Sequence, residues 1–265
     1  VSGNDSTWIT TGNLAIGGNN TAAGGTGTVN VNDNGRLSVA GNLTLWQSDS
    51  SLTVNGGNVA VAGNLASNGQ VQITGGGQVT NAIGYIGHNA TASGSVTVDG
   101  AGSLWGNSQD LFVGYNGTGA LTVSAGGNVT NAYGYIGRYS GSTGQVVVTG
   151  TGSRWINADS LHVGYEGSGQ LSVLNGGVVS SVSHCYVGRA STSTSSAVVD
   201  GAGSRWTSAA SILVGFYGNG TVQVTNGGYV SAVDTFVGTY SGSSGSVTVS
   251  GNDSTWITTG NLAIG

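Results

Sequence analysis

The sequence predicts an all-β fold, a single-stranded parallel β-solenoid (β-helix) of about ten turns with ~25 residues each. Three observations predict it. First, relatives of the unit at residues 144–168, GQVVVTGTGSRWINADSLHVGYEGS, start at Gly94, Gly119, Gly144, Gly169, Ser195, Gly220 and Gly245, spaced 25, 25, 25, 26, 25 and 25. A fixed period this short marks a repeat array whose units touch only their neighbours. Second, apolar and polar residues alternate within each unit, as in Val96, Thr97 and Val98 or Leu121, Thr122 and Val123. That period of two gives short strands with one buried and one wet face. Third, Trp105, Trp155, Trp206 and Trp256 recur at spacings of 50, 51 and 50, so two kinds of unit alternate.

Residues 1–17, VSGNDSTWITTGNLAIG, are identical to residues 249–265. Internal units match each other only partly, so this identity implies a second, longer period of 248 residues, or ten turns. The expectation is a slice of a longer array, or a subunit that meets its neighbour head to tail. Residues 18–68 are less regular. Residues 18–26, GNNTAAGGT, read as an enlarged loop, short units start near Gly27 and Ser50, and Trp46 lies outside the usual register. Narrower turns are expected there. Residues 69–265 are regular alternating turns, and the whole of 1–265 reads as one continuous solenoid.

With one unit per turn, equivalent residues stack ~4.8 Å apart. The column Trp105, Val129, Trp155, Val179, Trp206, Val230 and Trp256 then alternates large with small, which suits a narrow interior. A second column follows each Val-Gly or Ile-Gly pair: His88, Tyr115, Arg138, Tyr165, Arg189, Phe216 and Thr239. It is expected to face out. It reads as a ladder that holds register through cation–π contacts, or as a stripe that binds glycans or a partner surface.

Composition removes several function classes. Gly is 52 of 265 residues, Pro and Met are absent, and the five basic residues are all Arg. Missing Pro suits a chain whose N–H groups are wanted in ladders. A net charge of −5 from 6% charged residues argues against nucleic acid, which needs a basic face. No apolar run is long enough to span a membrane as a helix. The single Cys185 excludes an internal disulfide; it alternates with Val187 and should face inward as a small apolar filler.

At these residues a resemblance can be stated. The alternation of VTVDGAGSLW, LFVGYNGTGALTVSAGGNV and YIGRYSGSTGQVVVTGTGSRW resembles the repeats associated with type V secretion (autotransporter) passengers and with PEP-CTERM surface proteins. It covers residues 69–265 well and the first 68 loosely, apart from 1–17. The resemblance implies a right-handed β-solenoid passenger, export from a Gram-negative bacterium to the cell surface or beyond, and a surface or adhesive role. It brings no catalytic residues.

Sugar-cleaving enzymes also use parallel β-helices, but they need converging carboxylates or a metal cluster. Asp99 and Asp200 share a position four turns apart with Thr149 between them, and no acids converge. His162 and His184 lie in adjacent turns and are expected to face out, without ligand spacing. A calcium nonapeptide fails at Val29, and an ice-binding Thr row (Thr97, Thr122, Thr248) is interrupted by Val147, Ser172 and Val198. The reading is no enzyme, no cofactor and no metal. The expected role is a structural segment of a secreted filament or adhesin stalk, with self as partner. The alternatives are a glycan- or cell-binding module and, further off, a polysaccharide-active enzyme.

Overall fold

The computed structural model describes residues 1–265 and contains strands without helices. Every named strand pairs in parallel with the strand one turn away, and the strands assemble into three sheets. The first sheet runs from Thr7–Thr10 to Thr255–Thr258 through eleven strands, and the second from Leu14–Ile16 to Leu262–Ile264 through eleven. The third runs from Thr28–Asn32 to Ser244–Ser250 through ten. Parallel neighbours need a long connection. Here the other two sheets supply it, so the chain coils as a β-solenoid of about ten turns.

The pairing register measures each turn. Thr7 lies beside Arg36, Arg36 beside Asn58 and Asn58 beside Gln78, which gives turns of 29, 22 and 20 residues. Beyond Gln78 the turns alternate between long and short, 26, 24, 26, 24, 27, 24 and 26. The sheets keep their register throughout, and the corners absorb the differences.

The corner before Trp105, Trp155 and Trp206 shows why the sequence there reads G-x-G-S-x-W; before Trp256, Asp253 takes the place of the second glycine. Gly152 needs a left-handed backbone, with φ of 88°. Ser153 is fully buried; its Oγ donates to Thr149 O at 2.7 Å and accepts from Gly126 N–H of the preceding turn at 3.0 Å. One hydroxyl therefore closes its own corner and ties it to the one before. Ser103, Ser204 and Ser254 repeat both contacts.

The interior is one contiguous cluster of 43 buried apolar residues, so no boundary divides the rod. Down its first sheet the register places Trp105 beside Val129, Val129 beside Trp155, Trp155 beside Val179, Val179 beside Trp206, Trp206 beside Val230 and Val230 beside Trp256. Trp105, Trp155 and Trp206 are wholly buried, and Trp256 is partly so. Truncating one such core ring costs ~3–5 kcal/mol in a typical protein.

Each indole N–H also needs a partner. Trp105 Nε1 donates to Asn81 Oδ1 at 2.7 Å, and Asn81 Nδ2 donates to Asn107 Oδ1 at 2.8 Å. Trp155, Asn131 and Asn157 repeat this at 2.6 and 2.7 Å. Gly134 leaves room for the ring, since a Cβ there would come 2.8 Å from Trp155 Cζ2. One repeat on, the glycine position holds Cys185 and the two asparagines become Ser181 and Ser208. Side-chain volume moves from the amides to the thiol, and Trp206 Nε1 is left without a hydrogen-bond partner. At the last tryptophan, Thr235 Oγ1 accepts from Trp256 Nε1 at 3.1 Å.

Candidate functional site

The outer face of the second sheet carries the chain's densest array of chemically distinctive side chains. Its strands are only three or four residues long, such as Gly134–Ile136 and Leu161–Val163. Their middle residue points outward, while the Gly that follows turns the chain. Gly137 and Gly164 do this with φ of 70° and 76°. The residue after that glycine is thereby folded back over the sheet.

His88 and Tyr115 stack in parallel, 5.4 Å apart. Arg138 lies 4.0 Å from the Tyr165 centroid and 4.6 Å from that of Tyr139. Arg189 lies 4.2 Å from Tyr165 on the other side, so Tyr165 is held between two guanidinium groups. Phe216 meets Tyr186 and Tyr240 edge-on at 5.3 and 4.9 Å. Arg138 also approaches Glu166 at 3.7 Å, a charge contact rather than a hydrogen bond. Arg138 Nη1 and Arg189 Nε are buried without hydrogen-bond partners, so the aromatic faces, with Glu166 beside Arg138, hold these cations.

A further column lies beneath this one, and the sequence reading missed it. Tyr85, Phe112, Tyr135, His162 and Tyr186 stack face to face with centroids 5.2, 4.8, 4.8 and 4.8 Å apart. Tyr115 and Tyr165 cover Phe112 and His162 edge-on at 5.1 and 5.3 Å. His162 is therefore only 5% exposed, against the expectation that it faces solvent. The reason is the returning corner: Arg138, Tyr165 and Arg189 roof the strand's outer face. His184 remains exposed. The signal was present as Tyr-Ile-Gly and Leu-Phe/His-Val-Gly in alternate turns, but period two alone marks such positions as wet.

Burial, then the charges of Arg189 and Arg138, lower the His162 pKa to about 3. Hydrogen bonding with Tyr139, then burial, pushes Tyr115 up to about 12. Burial raises Tyr135 and Tyr186 as well. This face therefore offers stacked aromatic surfaces and phenol hydroxyls.

Elsewhere, Asp99 and Asp200 stand in one column with Ser124, Thr149 and Leu174 between them. Asp200 accepts from Thr225 Oγ1 and Asn226 Nδ2, both at 2.6 Å, which lowers its pKa. Cys185 lies in the core, where burial pushes its thiol pKa up.

No protein-family profile and no curated protein matches the chain. Among solved structures it is similar to the TibC-catalyzed hyper-glycosylated fragment of TibA. The identity is 16%, the likeness spans 97% of this chain and 100% of that one, and the TM-score is 0.24.

Proposed function

We propose that this chain is an extension rod, a structural segment of a long secreted bacterial surface filament or adhesin stalk assembled from 248-residue super-repeats. One observation supports the reading above the rest. The coil at 1–17 recurs at 249–265 and forms the same two strands at both places. Its strands are Thr7–Thr10 and Leu14–Ile16 in one copy and Thr255–Thr258 and Leu262–Ile264 in the other. Asp5 and Asp253 share left-handed φ values of 63° and 61°.

The two copies show the two sides of one coil. The first pairs forward with Arg36–Val39, and the second pairs backward with Tyr229–Ala232. A capping ladder behaves likewise: Asn13 Oδ1 accepts from Asn42 N–H at 2.8 Å, while its counterpart Asn261 donates its N–H to Asp234 Oδ1 at 2.7 Å. Laid on one another, the two copies would carry the pairing of the first two sheets across the join. The test is small-angle scattering on this chain and on the same chain followed by a further copy of residues 18–265. A gain in maximum dimension of roughly 48 Å, ten rungs at ~4.8 Å each, is the expected result. An unchanged dimension, or a compact dimer of rods, overturns the reading.

A second reading, adhesion through the aromatic face, draws on Tyr217 and Tyr240, which are exposed and stacked 4.4 Å apart. On a glycan array, Tyr217→Ala combined with Tyr240→Ala abolishes retention under this reading. Undiminished retention removes it.

A further inference from the structure

The seams that join the second sheet to the third differ in length, and one of them is short enough to open a cleft. In the regular turns a long seam, residues 87–92 or 137–142, alternates with a shorter one, 114–117 or 164–167. The shorter seam fills the space beside the longer: a Cβ on Gly117 would collide with the carbonyls of Asn89 and Ala92. Between Leu65–Ser67 and Gln70–Thr74, however, the seam shrinks to Asn68 and Gly69. Its neighbours, residues 46–50 and 87–92, stand as walls on either side of it.

The result is a cleft of about 380 Å³. Trp46, Gln47 and Ser48 line one side, Asn89, Thr91 and Ser93 the other, and Asn68 lines the base. It is a built site. The Trp46 indole packs directly on the Gly18 backbone, where a Cβ would come 2.6 Å from its Cδ1. Gln47 Nε2 donates to Gly24 O at 2.8 Å and pins the loop behind it. That loop is closed by Asn19 Oδ1, which accepts from the N–H groups of Thr21 and Ala22 at 2.9 and 2.8 Å. Asn68 is 1% exposed, and its Oδ1 is fixed by accepting from Asn89 N–H at 3.0 Å. Two of the lining residues carry a buried donor without a partner, Asn68 Nδ2 and Trp46 Nε1. Buried N–H groups without acceptors are rare, and each is costly unless an acceptor arrives.

We infer that this cleft binds a neutral saccharide. An indole wall, the unpartnered amide of Asn68 at the base, hydroxyls from Ser48, Thr91 and Ser93, and no charged side chain among the lining residues suit a polyhydroxylated, uncharged ligand. The volume takes a small sugar rather than a polymer segment. The proposal stands apart from the rod reading and from the Tyr217 face.

Saturation-transfer NMR on the intact chain tests it, using glucose, galactose, mannose, N-acetylglucosamine, lactose and maltose as probes, with sodium sulfate as a competitor. Transfer to at least one sugar is expected. Trp46→Phe replaces the indole wall with a smaller ring and should weaken that binding about five- to tenfold. Thr91→Trp places a ring at an exposed position on the cleft wall and should abolish transfer at unchanged melting temperature. Tyr217→Ala should leave it intact. Silence from every sugar, displacement by sulfate, transfer that survives Thr91→Trp, or loss confined to Tyr217→Ala overturns the assignment.

Discussion

Trp155 and Trp206 occupy equivalent places in the core yet differ in one atom's fate. Trp155 Nε1 donates to Asn131 Oδ1 at 2.6 Å, whereas Trp206 Nε1 has no partner. Trp155→Phe therefore strands a buried carboxamide oxygen, while Trp206→Phe strands nothing. Both lose ring volume. Trp155→Phe is expected to cost about 1–3 kcal/mol more than Trp206→Phe in urea unfolding, the penalty of one orphaned polar group. Equal costs would show that the indole–amide network contributes little. The tryptophan column itself was legible in the sequence, because its spacing and its alternation with valine are one-dimensional facts. The amide partners were not. They sit one turn away, and the compensation of Gly134 and Asn157 by Cys185 and Ser208 shows itself only when turns are laid on one another.

Among the elements, the short strands of the second sheet behave as though they had two cores. Their inner residues join the solenoid interior, and their outer residues join the stack from Tyr85 to Tyr186. His162 lies within that outer stack, facing Tyr135, Tyr186, Tyr165 and the cations Arg138 and Arg189, with Asp159 and His184 nearby. Its folded pKa, about 3, lies below the ordinary value of 6.5. The unfolded chain therefore takes up the proton first as pH falls. Stability from this group is complete above pH 6.5 and declines by roughly 1.4 kcal/mol per pH unit from there toward pH 3. Melting curves between pH 7 and 4 should show that decline, and His162→Phe, the residue Phe112 provides at the equivalent position, should flatten it. A slope that persists in the variant assigns the effect to other groups. Sequence reading found the Tyr/Arg column but placed His162 in solvent, since alternation reports which face a residue takes and not what folds back over that face.

For the molecule as a whole, the three sheets run along one axis, so each turn is braced only by the turns before and after it. Length then scales with turn count, which is why the scattering experiment on a second copy of residues 18–265 speaks to the whole design. The periodicity that makes this readable from sequence also explains where reading becomes coarse. Residues 18–68 break the period through corners and not through strands, as the turns of 29, 22 and 20 residues keep the pairing of all three sheets. Irregular spacing signalled a change of outline there, but not that a shortened seam would leave a hollow beside Trp46.

That tolerance at the seams makes the rod a natural display rail. Foreign peptides grafted at Ser140 and at Ser191, both exposed on long seams two turns apart, would project from the same edge roughly 10 Å from one another. Adding turns would extend the row without changing its pitch.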